Sequence, residues 1–262
     1  MDKFNFKKRK EEISFLCKKE SDSMKMTNDP VGAAIQDFMA GNLEASIVVE
    51  SNLTEDDEIR VAYLFRTPDG MPELELLALE ACRGRVLDVG AGAGCHSLAL
   101  QERGVDVTAL DLSAGAVQAM QAQGVRQVVQ QDIFKLSGER YDTLLLLMNG
   151  IGIAGDLEGL ERFLEHAKTL LNPGGQILLE SSDILYMFEE EDGSVLLDLN
   201  AGYYGEVMYN MRYKEHETGE FRWLFINPAI LEDYATDHGY TFGQVYEGEF
   251  GNYLARLVLQ PA

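Results

Sequence analysis

From residue 85 the chain reads Arg-Val-Leu-Asp88-Val-Gly90-Ala-Gly92-Ala-Gly94-Cys. A carboxylate is followed by three glycines at alternate positions. Glycines at this spacing permit a tight turn and let a ligand lie against the backbone. Where such a loop opens a helix, unpaired N–H groups face the same ligand. Asp111 stands 19 residues after Gly92, where a carboxylate can accept hydrogen bonds from the two vicinal hydroxyls of a ribose. The oxygens of Asp132 suit an adenine amino group or a helix cap. Placed at the ends of three successive strands, these acids share one rim, and that placement points to a bound nucleoside.

The elements that must position them follow from the apolar pattern. Arg85 to Val89 is a short buried strand, 95–103 a helix closed by Gly104, and Val105 to Leu110 a second strand. Ser113 caps a helix ending at Gly124, and Val125 to Gln130 forms a third strand. Tyr141 to Met148, the most apolar stretch, is a central strand. Leu157 to Leu171 has helical spacing, and Gln176 to Ser181 is a fifth strand. Strands alternating with helices predict an α/β fold with a doubly wound, mostly parallel sheet. Thr241–Tyr246 and Asn252–Leu259 close it as an antiparallel pair, making seven strands. Tyr204–Tyr213 and Phe221–Ile226 read as an inserted, lid-like β-hairpin. Asp29-Pro30 and Pro72 each open a helix, so residues 26–82 read as an N-terminal helical cap and 83–262 as the Rossmann-like domain. Residues 1–25 hold eight Lys/Arg against five Asp/Glu and read as a flexible basic extension, whereas the rest holds 14 against 39.

The glycine spacing narrows the nucleoside. A dinucleotide fingerprint places its last glycine or alanine where Cys95 stands. The third glycine comes one residue early, and a pyrophosphate would sit beside Asp88. A cofactor carrying a sulfonium and an ammonium would welcome that carboxylate. Here the chain resembles the class I S-adenosylmethionine-dependent methyltransferases. VLDVGAGAG is similar to their first motif, ALDLS to the ribose-binding segment, QDIF to the adenine-binding segment and YDTLLLLMNG to the fourth motif; LLNPGGQILLE resembles the segment before their fifth strand. The resemblance implies S-adenosylmethionine as cofactor and S-adenosylhomocysteine as product. It also implies that Gly90, Gly92 and Gly94 cradle the methionine part, with Asp88 supporting the loop or the ammonium. Asp111 would hold the ribose, Asp132 and Ile133 the adenine, and Leu112 the purine face. Asn149 and Gly150 would lie near the reactive methyl. His96, just inside the helix, reads as a polar residue of its first turn.

The acceptor has no motif. With Lys plus Arg at 22 and Asp plus Glu at 44, the net charge of −22 argues against partners bound through phosphates and against an anionic membrane surface. No apolar run reaches the roughly 18 residues of a membrane-spanning helix. The place held by Asn/Asp-Pro-Pro-aromatic in similar amino-directed nucleic acid enzymes reads Asn149-Gly-Ile-Gly152, and no Pro-Cys exists. A small-molecule acceptor is therefore expected, then a protein side chain. Tyr63 and Arg66 of the cap, with Tyr203, Tyr204 and Arg212 of the hairpin, are candidate acceptor contacts; Tyr209 and Trp223 also lie on the hairpin. The catalytic residues and the oligomeric state stay open. Three cysteines without a CxxC pair and four histidines without HExxH spacing predict neither disulfides nor a metal site, and a cytoplasmic location. Two alternatives remain: an NAD(P)-dependent oxidoreductase, and a catalytically silent S-adenosylmethionine-binding protein.

Overall fold

Short aliphatic runs such as Leu144–Leu147 can form parallel strands only where both sheet faces are covered, and the helices between them supply that cover. In a computed structural model, which describes residues 29–190, 192–197 and 202–260, the chain begins with helix α1 (Pro30–Met39), strands β1 (Ser46–Ser51) and β2 (Asp57–Arg60), and helix α2 (Glu73–Ala81). The alternating part follows as β3 (Arg85–Val89), α3 (Cys95–Glu102), β4 (Asp106–Asp111), α4 (Ala114–Gln123), β5 (Val128–Gln130), β6 (Tyr141–Leu146), α5 (Leu157–Leu170) and β7 (Leu171–Ser182). The last third holds β8 (Glu206–Tyr213), β9 (His216–Glu217), β10 (Phe221–Leu224), α6 (Pro228–Asp237), β11 (Tyr240–Glu247) and β12 (Asn252–Leu259). The basic extension expected over residues 1–25 lies outside the described residues. Among the described residues no helix is long and apolar enough to cross a membrane.

The main sheet has seven strands in the order β11-β12-β7-β6-β3-β4-β5. Strands β7, β6, β3, β4 and β5 run parallel, and β12 and β11 close the edge antiparallel, as expected. Strand order reverses between β3 and β6, and it is at the carboxyl ends of such a reversal that open sheets bind ligands. Side chains alternate between the two faces. On one face Leu87, Leu144, Leu146 and Ile177 pack with Leu160, Phe163 and Leu164 of α5. On the other, Val86, Val107, Leu145 and Leu178 pack with Leu74 and Ala78 of α2 and Leu100 of α3.

The structure revises the N-terminal cap and the hairpin. The cap is not wholly helical, because β1 and β2 lie within it. Nor does the hairpin stand alone: β8 pairs with β1, so that β10-β8-β1-β2, with β9 on β8, form a second, antiparallel sheet. The two halves of this sheet come from opposite sides of the main domain in sequence. Its register puts Ile47 opposite Ile59, Val49 opposite Met211 and Tyr209 opposite Phe221. These apolar residues share the inward face, while Glu50, Arg212 and Arg222 point outward and pair with charges. Helix α1 joins the two parts. Its cap Asp29 accepts hydrogen bonds from Gly32 N (2.8 Å) and from Ser113 Oγ at the start of α4 (2.8 Å), and Gln36 donates to Gly115 O (2.7 Å).

Candidate functional site

The glycine loop between β3 and α3 is tied to the end of β4. Gly90 N and Ala91 N donate to Leu110 O (2.9 and 3.0 Å), and Gly92 N donates to Asp111 Oδ2 (2.8 Å). Gly90 and Gly92 have φ of +71° and +57°, the left-handed region that costs other residues energy. A Cβ built on either meets nothing within 4 Å, because both face an open cavity. Gly94 differs: its Cβ would lie 2.9 Å from Met120 Cγ and 3.1 Å from Val125 Cγ2. Gly94 is therefore set by packing against α4, and it does not line the cavity.

Asp111 is committed on both oxygens, with Oδ1 accepting from Ser113 N (2.8 Å). It still lines the cavity, and burial pushes its carboxyl up to about 6. Asp88 is buried below the loop, where Ser97 Oγ donates to it (2.6 Å) and burial holds its carboxyl above the usual range. Leu112, 71% exposed, and Gln130 stand at the cavity rim beside Asp111. Neither Asp132 nor Ile133 reaches the cavity. Asp132 caps a turn by accepting from Phe134 N (3.0 Å), and Ile133 is in the core. The cavity is lined there by Gln130, the last residue of β5 and just before the segment expected to meet the adenine.

After β6 the backbone turns through two consecutive left-handed residues, Met148 (φ +56°) and Asn149 (φ +52°). Met148 N donates to Glu180 Oε2 (2.6 Å), and burial raises the Glu180 carboxyl. The Asn149 side chain is a tie between the two sheets: Nδ2 donates to Leu224 O (3.1 Å), and Oδ1 accepts from Ser181 Oγ (3.0 Å). Met148, Asn149 and Gly150 line the cavity where it passes from the glycine loop toward the second sheet.

None of the five expected acceptor contacts lines that cavity. Arg66 is buried in an ion pair with Glu75 (2.5 Å), beside His96 Nε2 (3.2 Å), and its guanidinium lies 3.9 Å above the Tyr63 ring. His96 in turn lies 3.0 Å from Glu75. Burial works to lower the His96 pKa, but its hydrogen bonds with Cys95 and Glu75 win and hold it at about 10. The Tyr203 hydroxyl accepts from Asn227 N (2.9 Å), and the Tyr204 hydroxyl donates to Asp183 (2.7 Å). Arg212 points outward to Glu50 (2.5 Å) and Asp56.

The far wall is built instead by Tyr209, Phe221, Trp223 and Phe225, with Met211, Ile47 and Ile59 beside them. Tyr209 lies against all three other rings, with centroids 6.2–6.3 Å away, and is nearly parallel to Trp223 at 12°. The signal for this wall lay in the alternation along 46–51 and 206–211, which becomes meaningful only once β1 and β8 are known to pair. The whole cavity measures ≈ 860 Å³, in the upper part of the roughly 300–1,000 Å³ range of small-molecule sites.

Comparison with known proteins agrees with this geometry. Residues 86–175 match the model of a methyltransferase domain. A search of curated proteins returns no match. Among solved structures, an S-adenosylmethionine-dependent methyltransferase from Bacteroides fragilis, in complex with S-adenosyl-L-homocysteine, is 43% identical, with 89% of this chain and 96% of that one covered and a TM-score of 0.83. The CcbJ methyltransferase from Streptomyces caelestis is 16% identical over 77% of this chain and 95% of that one, with a TM-score of 0.57. A methyltransferase from Clostridium acetobutylicum is 14% identical over 71% and 91%, with a TM-score of 0.54. These last two share the fold. S-adenosylmethionine is the cofactor, and the open cradle at Gly90 and Gly92 leaves room for it. The chain belongs to the class I S-adenosylmethionine-dependent methyltransferases.

Proposed function

We propose that the protein transfers a methyl group to a small organic acceptor by in-line displacement. One observation carries this reading: a single cavity runs from the glycine loop to the aromatic wall of the second sheet, so cofactor and acceptor would share one continuous space. When bound, S-adenosylmethionine supplies a methyl group activated by a sulfonium. Gly90 and Gly92 would hold its methionine part against the loop, Asp111 its ribose, and Leu112 with Gln130 its base. The turn at Met148–Gly150 shapes the passage between the two ends. What remains for the chain is alignment and the exclusion of water, and the antiparallel sheet roofs the cavity for that purpose. The net charge of −22 supports a small acceptor over a nucleic acid.

Calorimetry with S-adenosylhomocysteine and NAD(H), followed by radiolabelled methyl transfer into a cell extract fractionated by size, tests the reading. The expected result is binding of the homocysteine ligand alone and label in the small-molecule fraction. Label confined to protein or nucleic acid, or preferential binding of NAD(H), would overturn it.

A further inference from the structure

We infer that Glu180 distinguishes the charged cofactor from its spent product: its carboxylate, set behind the Met148–Asn149 turn, favours a sulfonium at the passage over the neutral thioether that methyl transfer leaves. This rests on the proposed function, in which the methyl group passes from the glycine-loop end to the aromatic end, so that the sulfur faces the passage.

The first support is where β7 puts this carboxylate. Leu179 pairs with Leu146 at the end of β6, so Glu180 stands beside the residues that follow β6. Side chains alternate along a strand. Leu178, two residues earlier, packs with Leu74 and Ala78 of α2 and with Leu147, and Glu180 continues that face to the carboxyl end of the sheet. Its Oε2 accepts from Met148 N (2.6 Å). Met148 and Asn149 both have left-handed backbones, a costly conformation for residues with a side chain. Glu180 holds one of them, and the Asn149 side chain ties the other to Leu224 and Ser181. The carboxylate is therefore fixed one backbone N–H away from a residue that lines the cavity.

The second support is that this charge is unspent. Among the described residues Glu180 forms no ion pair, and its Oε1 accepts no hydrogen bond. The cations that act on it, Arg66 and His96, are both bonded to Glu75 (2.5 and 3.0 Å). Burial, and then the like charge of Glu75, raises the Glu180 carboxyl. The acids that line the cavity are engaged instead. Asp111 accepts from Gly92 and Ser113, Asp29 from Gly32 and Ser113, and Asp88 from Ser97. Asp57 shares the inward face of the second sheet and acts on Tyr209, but it is exposed on the edge strand β2, where water and salt screen it. A part-buried carboxylate with one donor is costly to keep charged, and a cation in the cavity lowers that cost. Unit charges about 8–12 Å apart, at an effective dielectric constant of about 20, attract by roughly ten- to thirtyfold in affinity. A neutral thioether gains nothing from the same carboxylate, so discrimination of this sign favours loading of the donor and release of the spent product.

The test needs no acceptor. Calorimetry on the full-length protein compares S-adenosylmethionine, S-adenosylhomocysteine and sinefungin, which places an ammonium on carbon where the cofactor has its methyl on sulfur. All three share the ribose, the base and the amino-acid tail, so contacts to those parts cancel in the ratio of affinities. Glu180→Gln keeps an oxygen for Met148 N and removes the charge; Glu180→Met removes both. In each variant the affinities of the two cationic ligands, relative to S-adenosylhomocysteine, should fall roughly ten- to thirtyfold. Retained binding of S-adenosylhomocysteine verifies that a variant folds, and either variant reports the ratio. If Glu180 merely pins the turn, its loss moves all three ligands together. A ratio unchanged within about threefold in Glu180→Gln therefore overturns the inference, as does a fall confined to Glu180→Met. Both results leave the proposed function standing. Failure of the wild-type protein to bind S-adenosylhomocysteine would strike instead at the function on which the inference rests.

Discussion

Gly92→Ala and Gly94→Ala should separate ligand cradling from packing within one loop. Both glycines have left-handed backbones, with φ of +57° and +91°, so each alanine bears about 1–2 kcal/mol of strain. Beyond that they diverge. The Gly92 methyl would enter open cavity, where nothing lies within 4 Å, whereas the Gly94 methyl would meet Met120 at 2.9 Å and Val125 at 3.1 Å. Overpacking of that kind costs about 1–3 kcal/mol more. At about 2–4 °C per kcal/mol for a chain somewhat under this size, Gly92→Ala should lower the melting temperature by roughly 2–8 °C and Gly94→Ala by roughly 4–20 °C. Affinity should order the other way. If the ligand lies against Gly92, the same overpacking of about 1–3 kcal/mol falls on the complex, a loss of roughly five- to 150-fold. Gly94→Ala should stay within about threefold. Calorimetry with S-adenosylhomocysteine and thermal melts measure both. Equal losses of affinity in the two variants, or unchanged affinity in Gly92→Ala, would refute the assignment of cavity-facing and packing glycines.

Three further outcomes follow from the same geometry. With its carboxyl near 6, Asp111 binds a proton in the free protein as pH falls, and the proton competes with hydroxyl donors for its oxygens; affinity for S-adenosylhomocysteine should drop roughly tenfold per pH unit below 6, and a calorimetric series in Asp111→Asn should lack that step. A Cβ on Gly152 would fall inside the Trp223 indole, so Gly152→Ala should shift the tryptophan emission and raise acceptor KM while sparing cofactor affinity; an unchanged spectrum would count against this seating of Trp223. Glu75 joins Arg66 and His96 in a buried cluster, and Glu75→Gln, by breaking it, should cost about 3–5 kcal/mol in urea unfolding. The raised His96 pKa contributes stability that is complete below about 6.5 and is lost as pH rises through about 10. Wild type should therefore lose more melting temperature than His96→Gln between pH 7 and 10.5.

Which parts of this protein could be read from the residues follows from the range of the interactions involved. The glycine loop, its preceding strand and Asp111 are local: each depends on backbone conformation or on residues one βαβ unit apart, and a run such as Arg85–Gly94 carries that information in its own spacing. The seven-stranded sheet was legible for the same reason, since alternating strands and helices leave few topologies open. The acceptor end was not. Ile47 and Tyr209 lie on one wall only because β1 pairs with β8 across about 160 residues, and a short strand pattern does not name its partner. Tyr203, Tyr204 and Arg212 had the right side chains for a substrate site, but Tyr203 and Tyr204 lie in the turn before β8 and reach Asn227 and Asp183, and the pleat of β8 turns Arg212 outward to Glu50. A one-residue change of register exchanges the faces of a strand, so tertiary pairing alone decided which hairpin aromatics meet the cavity. The cofactor end was legible because Asp88 to Gly94 and Asp111 belong to one βαβ unit whose spacing the chain carries locally; the long-range sheet decided what stands opposite it.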